Sequence, residues 1–183
     1  QLALDIGLAP EPTLARFFVG ANAALLQHLR LALESGHSGA LRAPVPVYLW
    51  GEPGCGKTHL AAAIGNYQAS RGMPPLFVVV PDLLDYLRAA FAPNSGISLD
   101  KRFNEIRTAR LLILDDLGTQ SATPWAREKL YQLFNYRYNA ELPTVITTAS
   151  MPGEIDPRLR SRMADTRLCR MVFMSAPSFT GKN

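Results

Sequence analysis

The chain has 183 residues, 48% of them apolar, a net charge of +4 and two cysteines. That length suits one domain with a real core, and no apolar run reaches the roughly eighteen residues a membrane-spanning helix needs. Cys55 and Cys169 make no disulfide framework and no charged-then-apolar leader opens the sequence, so a cytoplasmic location without a membrane partner is expected. The first residue is Gln1 and not Met, so a fragment or processed chain is expected, and any N-terminal partner domain would lie outside it.

In chain order, residues 13–35 carry a helical apolar stripe (Leu14, Phe17, Phe18, Leu25, Leu29, Leu33), followed by a Gly-, Ser- and Pro-rich loop over 36–46. Short Leu-rich or β-branched runs at 47–50, 76–80, 111–115, 144–148 and 170–174 lack clean alternation, as strands covered on both faces do. Helices are expected at 59–71, 82–91, 98–108, 124–138 and 157–164. Thr123 before Pro124 and Asp156 before Pro157 supply capping side chains ahead of a proline at the first helical position. Alternation on this scale predicts a three-layer α/β/α fold with a five-stranded parallel sheet and a site at the carboxyl ends of the strands. One domain is expected: an N-terminal helix and loop (1–46), a core (47–174) with inserted helices at about 82–108, and a tail (175–183).

The most informative stretch is Gly51-Glu52-Pro53-Gly54-Cys55-Gly56-Lys57-Thr58, followed by His59 at the start of a helix. Backbone N–H groups can wrap a polyphosphate only where no Cβ blocks the approach and positive φ is open. In this pattern Lys57 reaches the β- and γ-phosphates, Thr58 offers its hydroxyl to Mg²⁺, and the helix points its positive end at the anion. Leu111-Leu112-Ile113-Leu114-Asp115-Asp116 completes the picture. Asp115 is expected to hold the metal and Asp116 to activate the attacking water, against the alternative that Asp116 only caps the turn before Gly118. The chemistry implied is nucleoside triphosphate hydrolysis. Cys55, beside a lysine and a helix start, reads either as a reactive thiol or as a small loop filler.

Three further groups admit two readings each. Lys101, Arg102, Arg107 and Arg110 against Glu105 give residues 101–110 a net charge of +3, suited to a nucleic-acid backbone or to a solvated helix face. Arg158 and Arg162, four apart, share a helix face that Arg160 does not. They suit either an arginine finger reaching a neighbour's γ-phosphate or a basic patch paired with Asp156 or Asp165. Tyr131, Phe134, Tyr136 and Tyr138 suit base stacking or core packing.

Residues 51–66 (GEPGCGKTHLAAAIGN), 111–139 (LLILDDLGTQSATPWAREKLYQLFNYRYN), 142–148 (LPTVITT) and 156–163 (DPRLRSRM) resemble the AAA+ ATPase domain of bacterial replicative helicase loaders of the DnaC/DnaI type. Phe17-Phe18-Val19-Gly20 with Asn22 is similar to the opening of the related initiator DnaA. The resemblance implies an ATP- and Mg²⁺-dependent ATPase, slow until stimulated by assembly or DNA. It also implies binding to single-stranded DNA, self-assembly into an ATP-bridged oligomer, and delivery of a ring-shaped replicative helicase at an origin.

Two departures stand out. Where such proteins place a polar sensor at the end of the fourth strand this chain has Thr147-Thr148-Ala149-Ser150, so either Thr148 or Ser150 is expected to substitute for Ala149 or hydrolysis is expected to be slow. The lid is expected to be absent or truncated, with Thr180 where a second sensor arginine would stand and Arg167 and Arg170 as stand-ins. The alternatives are an accessory ATPase of DNA transposition, a regulatory nucleotide-binding module with little hydrolysis, and a small-molecule kinase.

Overall fold

The computed structural model describes residues 12–15, 17, 22, 23, 25–27, 29, 46–89, 99–118 and 123–175. The expected loop over 36–45, the aromatics Phe18 and Phe91, and the tail with Thr180 lie outside the described residues.

Within them the chain alternates strand and helix: β1 (Val47–Trp50), α1 (Lys57–Ser70), β2 (Leu76–Val79), α2 (Val80–Ala89), α3 (Leu99–Thr108), β3 (Leu112–Asp115), α4 (Pro124–Asn139), β4 (Thr144–Thr148), a 3₁₀ turn (Pro152–Glu154), α5 (Pro157–Met163) and β5 (Arg170–Phe173). The strands form one parallel sheet in the order β2-β3-β4-β1-β5. Chain order therefore doubles back at β1, which lies between β4 and β5. In open α/β sheets such a reversal leaves a crevice outside the carboxyl ends of the strands.

Each strand splits its side chains between two cores, which explains the missing polar alternation. Val47, Leu49, Ile113 and Val145 face α1 through Leu60, Ala61 and Ile64. Tyr48, Leu112, Leu114 and Ile146 face the opposite layer, where Leu83 and Leu87 of α2, Leu130 and Leu133 of α4 and Leu159 of α5 pack. Phe17, Leu25, Leu26 and Leu29 join the α1 side.

The caps form as the sequence predicts. Thr123 accepts from Ala126 N–H at 3.2 Å and Asp156 from Arg158 N–H at 2.8 Å. β2 stops at Val79 because Val80 opens α2, and Pro81 sits in the first turn, where a missing N–H costs nothing.

One buried cation ties the layers together. Arg137 on α4 is 1% exposed. Its guanidinium donates to Thr144 Oγ1 at 2.8 Å, to the carbonyls of Arg107 and Ala109 at 2.9 and 2.8 Å, and to the Pro143 carbonyl. It thus anchors the carboxyl end of α3 and the entry to β4 to α4. Burial pulls its pKa down to about 10.

Candidate functional site

The loop from β1 to α1 is shaped by its glycines. Gly56, at φ 90°, is the N-cap of α1, in a left-handed conformation that side-chain-bearing residues avoid. A Cβ on Gly51 would lie 2.4 Å from the Met174 carbonyl, because Met174 N–H donates to the Trp50 carbonyl at 2.8 Å and brings the end of β5 against the loop. α1 carries no acidic residue in its first turn, so the positive helix end faces the loop unopposed. Lys57 curls back over this cradle and donates to the Gly51 and Glu52 carbonyls, each at 2.8 Å, with Cys55 Sγ at 3.5 Å. Cys55 itself is buried.

Across the cradle stands the end of β3. Thr58 Oγ1 donates to Asp115, with Oδ1 at 3.0 Å and Oδ2 at 3.1 Å. A hydroxyl and a carboxylate side by side beside an anion-binding helix start are hard oxygen donors of the kind that Mg²⁺ accepts, with phosphate oxygens and water filling the rest of its shell. No group of three or more His, Cys, Asp or Glu poised for a metal occurs among the described residues.

The end of β4 joins the same group through a residue the sequence reading did not single out. Thr147 Oγ1 donates to Asp115 Oδ1 at 2.6 Å and accepts from Asp116 N–H at 2.9 Å. Asp116 is exposed and left-handed, at φ 59°. Thr148 turns the other way, donating to the Leu117 carbonyl and accepting from Ser150 N–H at 3.0 Å. The Thr148 hydroxyl therefore holds the β3 exit loop, and Thr147 meets the acids. Strand alternation is the physical reason, since neighbours on β4 point to opposite faces. The Thr148 carbonyl in turn receives Gly51 N–H at 3.3 Å, linking β4 to the cradle.

His59, in the first turn of α1, has a ring 6.0 Å from that of Phe17, and its Nε2 is buried with no hydrogen-bond partner among the described residues. Asn22 Nδ2 is in the same condition. These two unsatisfied groups, on the cradle helix and on the N-terminal segment that packs against it, are the sort a bound ligand completes.

The remaining candidates sit apart. Arg158 and Arg162 do share a face: their guanidinium carbons lie 4.3 and 4.9 Å from the Tyr131 ring centroid. Arg158 also pairs with Glu128 and Asp156 at 3.2 and 3.3 Å, and Arg162 donates to Asn135, to Tyr131 OH at 3.1 Å and to the Arg158 carbonyl at 3.0 Å. Arg160 is exposed.

On α3, Lys101 is exposed, Arg102 pairs with Glu105 at 2.8 Å, and Arg107 donates to Asn104 at 2.9 Å and stacks 4.6 Å from the Tyr136 centroid. At about 100° per residue, Arg102 and Arg107 flank opposite sides of the apolar stripe and Lys101 stands outside it, so the three do not converge. Nor are the α4 aromatics open platforms. Phe134 is buried and stacked 6.4 Å from Tyr48, and Tyr131, Tyr136 and Tyr138 are covered by the chain's own arginines.

A glycine cradle at a helix start, a lysine within it, and a hydroxyl of that helix set against the carboxylate at the end of β3 define a P-loop nucleotide-binding domain. The 2-3-4-1-5 parallel sheet gives it the AAA+ arrangement. The chain belongs to the IstB-like ATP-binding proteins, whose family profile matches residues 40–176. It is 33% identical over 115 residues to the replicative helicase loader DnaC of Escherichia coli K12, covering 63% of this chain and 46% of that protein. It is 31% identical over 110 residues to the replicative helicase loader DnaI of Bacillus subtilis 168, covering 60% and 34%. The solved structure of the replication initiator DnaA bound to AMPPCP and single-stranded DNA superposes with a TM-score of 0.76 at 25% identity, over 93% of this chain and 51% of that one. The chain thus spans less than half the length of the curated relatives it matches.

Proposed function

We propose that this chain is the ATP-hydrolysing core of a cytoplasmic protein that loads a ring-shaped replicative helicase onto single-stranded DNA. The observation that carries the reading is the convergence of Lys57, Thr58 and Asp115 at the glycine cradle, in a chain whose relatives are named helicase loaders. No helix among the described residues is long and apolar enough to cross a membrane.

In this reading the backbone of residues 51–58 wraps the phosphates and Lys57 releases the Gly51 and Glu52 carbonyls to meet the β- and γ-oxygens. Thr58 and Asp115 would hold Mg²⁺, which would supply neutralisation of the charge that develops on the phosphates. Asp116 takes the proton of the attacking water, and Arg162 meets the γ-phosphate of a neighbouring subunit. To do so Arg162 exchanges its contacts to Asn135 and Tyr131 for the partner's phosphate, so a lone subunit turns over slowly and assembly or DNA raises the rate. Residues 47–174 form the working core and the α2–α3 segment is the DNA-facing insertion, with Lys101, Arg102 and Arg107 as contacts.

The test is co-purification of the full-length protein from its source with ATP present. A ring helicase retained with the parent and lost with Lys57→Ala supports loading. Retention of a transposase instead, or of no DNA-processing protein, overturns it.

A further inference from the structure

Thr147 is 1% exposed, in the middle layer of the fold. At such a strand position valine has the same shape, and a buried hydroxyl is a net cost unless its hydrogen-bonding capacity is used. Here both sides of that capacity go to the site acids. The hydroxyl's one proton goes to Asp115 Oδ1 at 2.6 Å, and a lone pair accepts Asp116 N–H at 2.9 Å. The main chain repeats the grip one residue on, since the Thr147 carbonyl accepts Leu117 N–H at 2.9 Å. Thr147 therefore contacts each residue of the segment 115–117, and Thr148 adds its hydroxyl to the Leu117 carbonyl.

We infer that Thr147 is a positioning residue for the reaction: its one hydroxyl fixes the carboxylate of Asp115 and the backbone of Asp116 at the same time. With Thr147 on Oδ1, and Thr58 reaching both oxygens, Oδ2 is the less engaged of the two and is the oxygen that would serve a metal. The bond to Asp116 N–H supports that residue in its left-handed conformation at φ 59°, which aspartate tolerates better than most side-chain-bearing residues. Since the donor to Asp115 and the acceptor from Asp116 are one oxygen atom, a shift in either acid is felt by the other. The inference rests on the roles proposed above for Asp115 and Asp116 and adds the residue that couples them.

The experiment compares Thr147→Val and Thr147→Ser with the parent in the full chain, with Asp115→Ala and Asp116→Asn alongside. Valine keeps shape and strand propensity while deleting the hydroxyl; serine restores it. Outer-shell partners of metal ligands typically cost about 10- to 100-fold when removed, so Thr147→Val is expected to need roughly tenfold more Mg²⁺ and to lose about 10- to 100-fold in kcat. ATP affinity in EDTA, which does not use the acids, stays within about twofold of the parent, and serine recovers most of the loss.

A readout independent of turnover is amide hydrogen exchange: Asp116 N–H is protected in the parent and in Thr147→Ser, and exposed in Thr147→Val. Parental Mg²⁺ demand and turnover in Thr147→Val, while the two aspartate variants fail, overturns the inference and leaves the site reading standing. Parental behaviour in all of them overturns the site reading first. If the valine variant does not fold, rapid exchange of Asp116 N–H in the parent alone refutes the clamp.

Discussion

Removal of the Lys57 amine by Lys57→Ala separates binding from folding. In the structure the amine makes two 2.8 Å bonds to loop carbonyls, Gly51 O and Glu52 O. The Glu52 carbonyl also accepts Cys55 N–H at 3.3 Å, so the Gly51 carbonyl is the one left short of a partner. The stability cost is accordingly about 1 kcal/mol, a melting shift of about 2–4 °C for a domain of this size. For binding, the amine trades these two loop bonds for contacts to doubly charged phosphate. Charge-assisted hydrogen bonds contribute about 1.5–3 kcal/mol each, so a net loss of about 2–4 kcal/mol, or roughly 30- to 1,000-fold in Kd, is expected. Calorimetric titration with a non-hydrolysable ATP analogue measures it, with a thermal melt of the ligand-free protein beside it. An ATP affinity within threefold of the parent would refute the cradle assignment. A melting shift far beyond the expected one would mean that Lys57 is structural.

Three other outcomes are expected. Neutralising Lys101, Arg102 and Arg107 together should weaken single-strand binding and flatten its log-salt dependence by roughly 0.7 per lost contact; because the three do not converge, an unmoved slope in a binding titration returns α3 to a solvated face. Arg137→Leu strands the Arg107 and Ala109 carbonyls, while the Pro143 carbonyl keeps Leu112 N–H and the Thr144 hydroxyl keeps the Leu142 carbonyl; partly offset by relief of a buried charge, a loss of about 3 kcal/mol and a melting point lower by about 6–12 °C is expected, and a melt unchanged within 2 °C contradicts its anchoring role. Arg162→Ala should bind ATP normally but lose the rise in rate per subunit with protein concentration, and mixing it with Lys57→Ala should recover part of that activity; a mixture no more active than the sum of its parts makes the Arg158–Arg162 face a basic surface.

Much of the fold could be read from the chain because its signals are local. The strands β1 and β4 fall where their apolar runs end, and α4 and α5 begin where Thr123 and Asp156 cap them. The cradle was legible because wrapping a polyphosphate leaves so few choices of residue. What stayed hidden depends on tertiary placement. Nothing local distinguishes Thr147 from Thr148 in a β-branched run; only the pleat, fixed by which face meets the β3 acids, turns one hydroxyl to Asp115 and the other to Leu117. Nothing local marks Arg137, yet carbonyls from the distant α3–β3 connection and from the turn after its own helix close around it. The α4 tyrosines offered stacking surfaces on paper, but arginines of α3 and α5 already occupy them.

The most direct test of the hydrolytic site sets Asp116→Asn against Asp115→Ala in one assay that reads Mg²⁺-dependent ATP binding and single-turnover hydrolysis together. Asp116→Asn is expected to bind Mg²⁺ and ATP like the parent while its turnover falls by about 10²–10⁴-fold, the usual contribution of a general base. Asp115→Ala, which removes the carboxylate that Thr58 and Thr147 both address, is expected to weaken the metal-dependent part of binding itself. Parental hydrolysis by both variants would contradict the account, because the two carboxylates at the end of β3 would then carry none of the turnover.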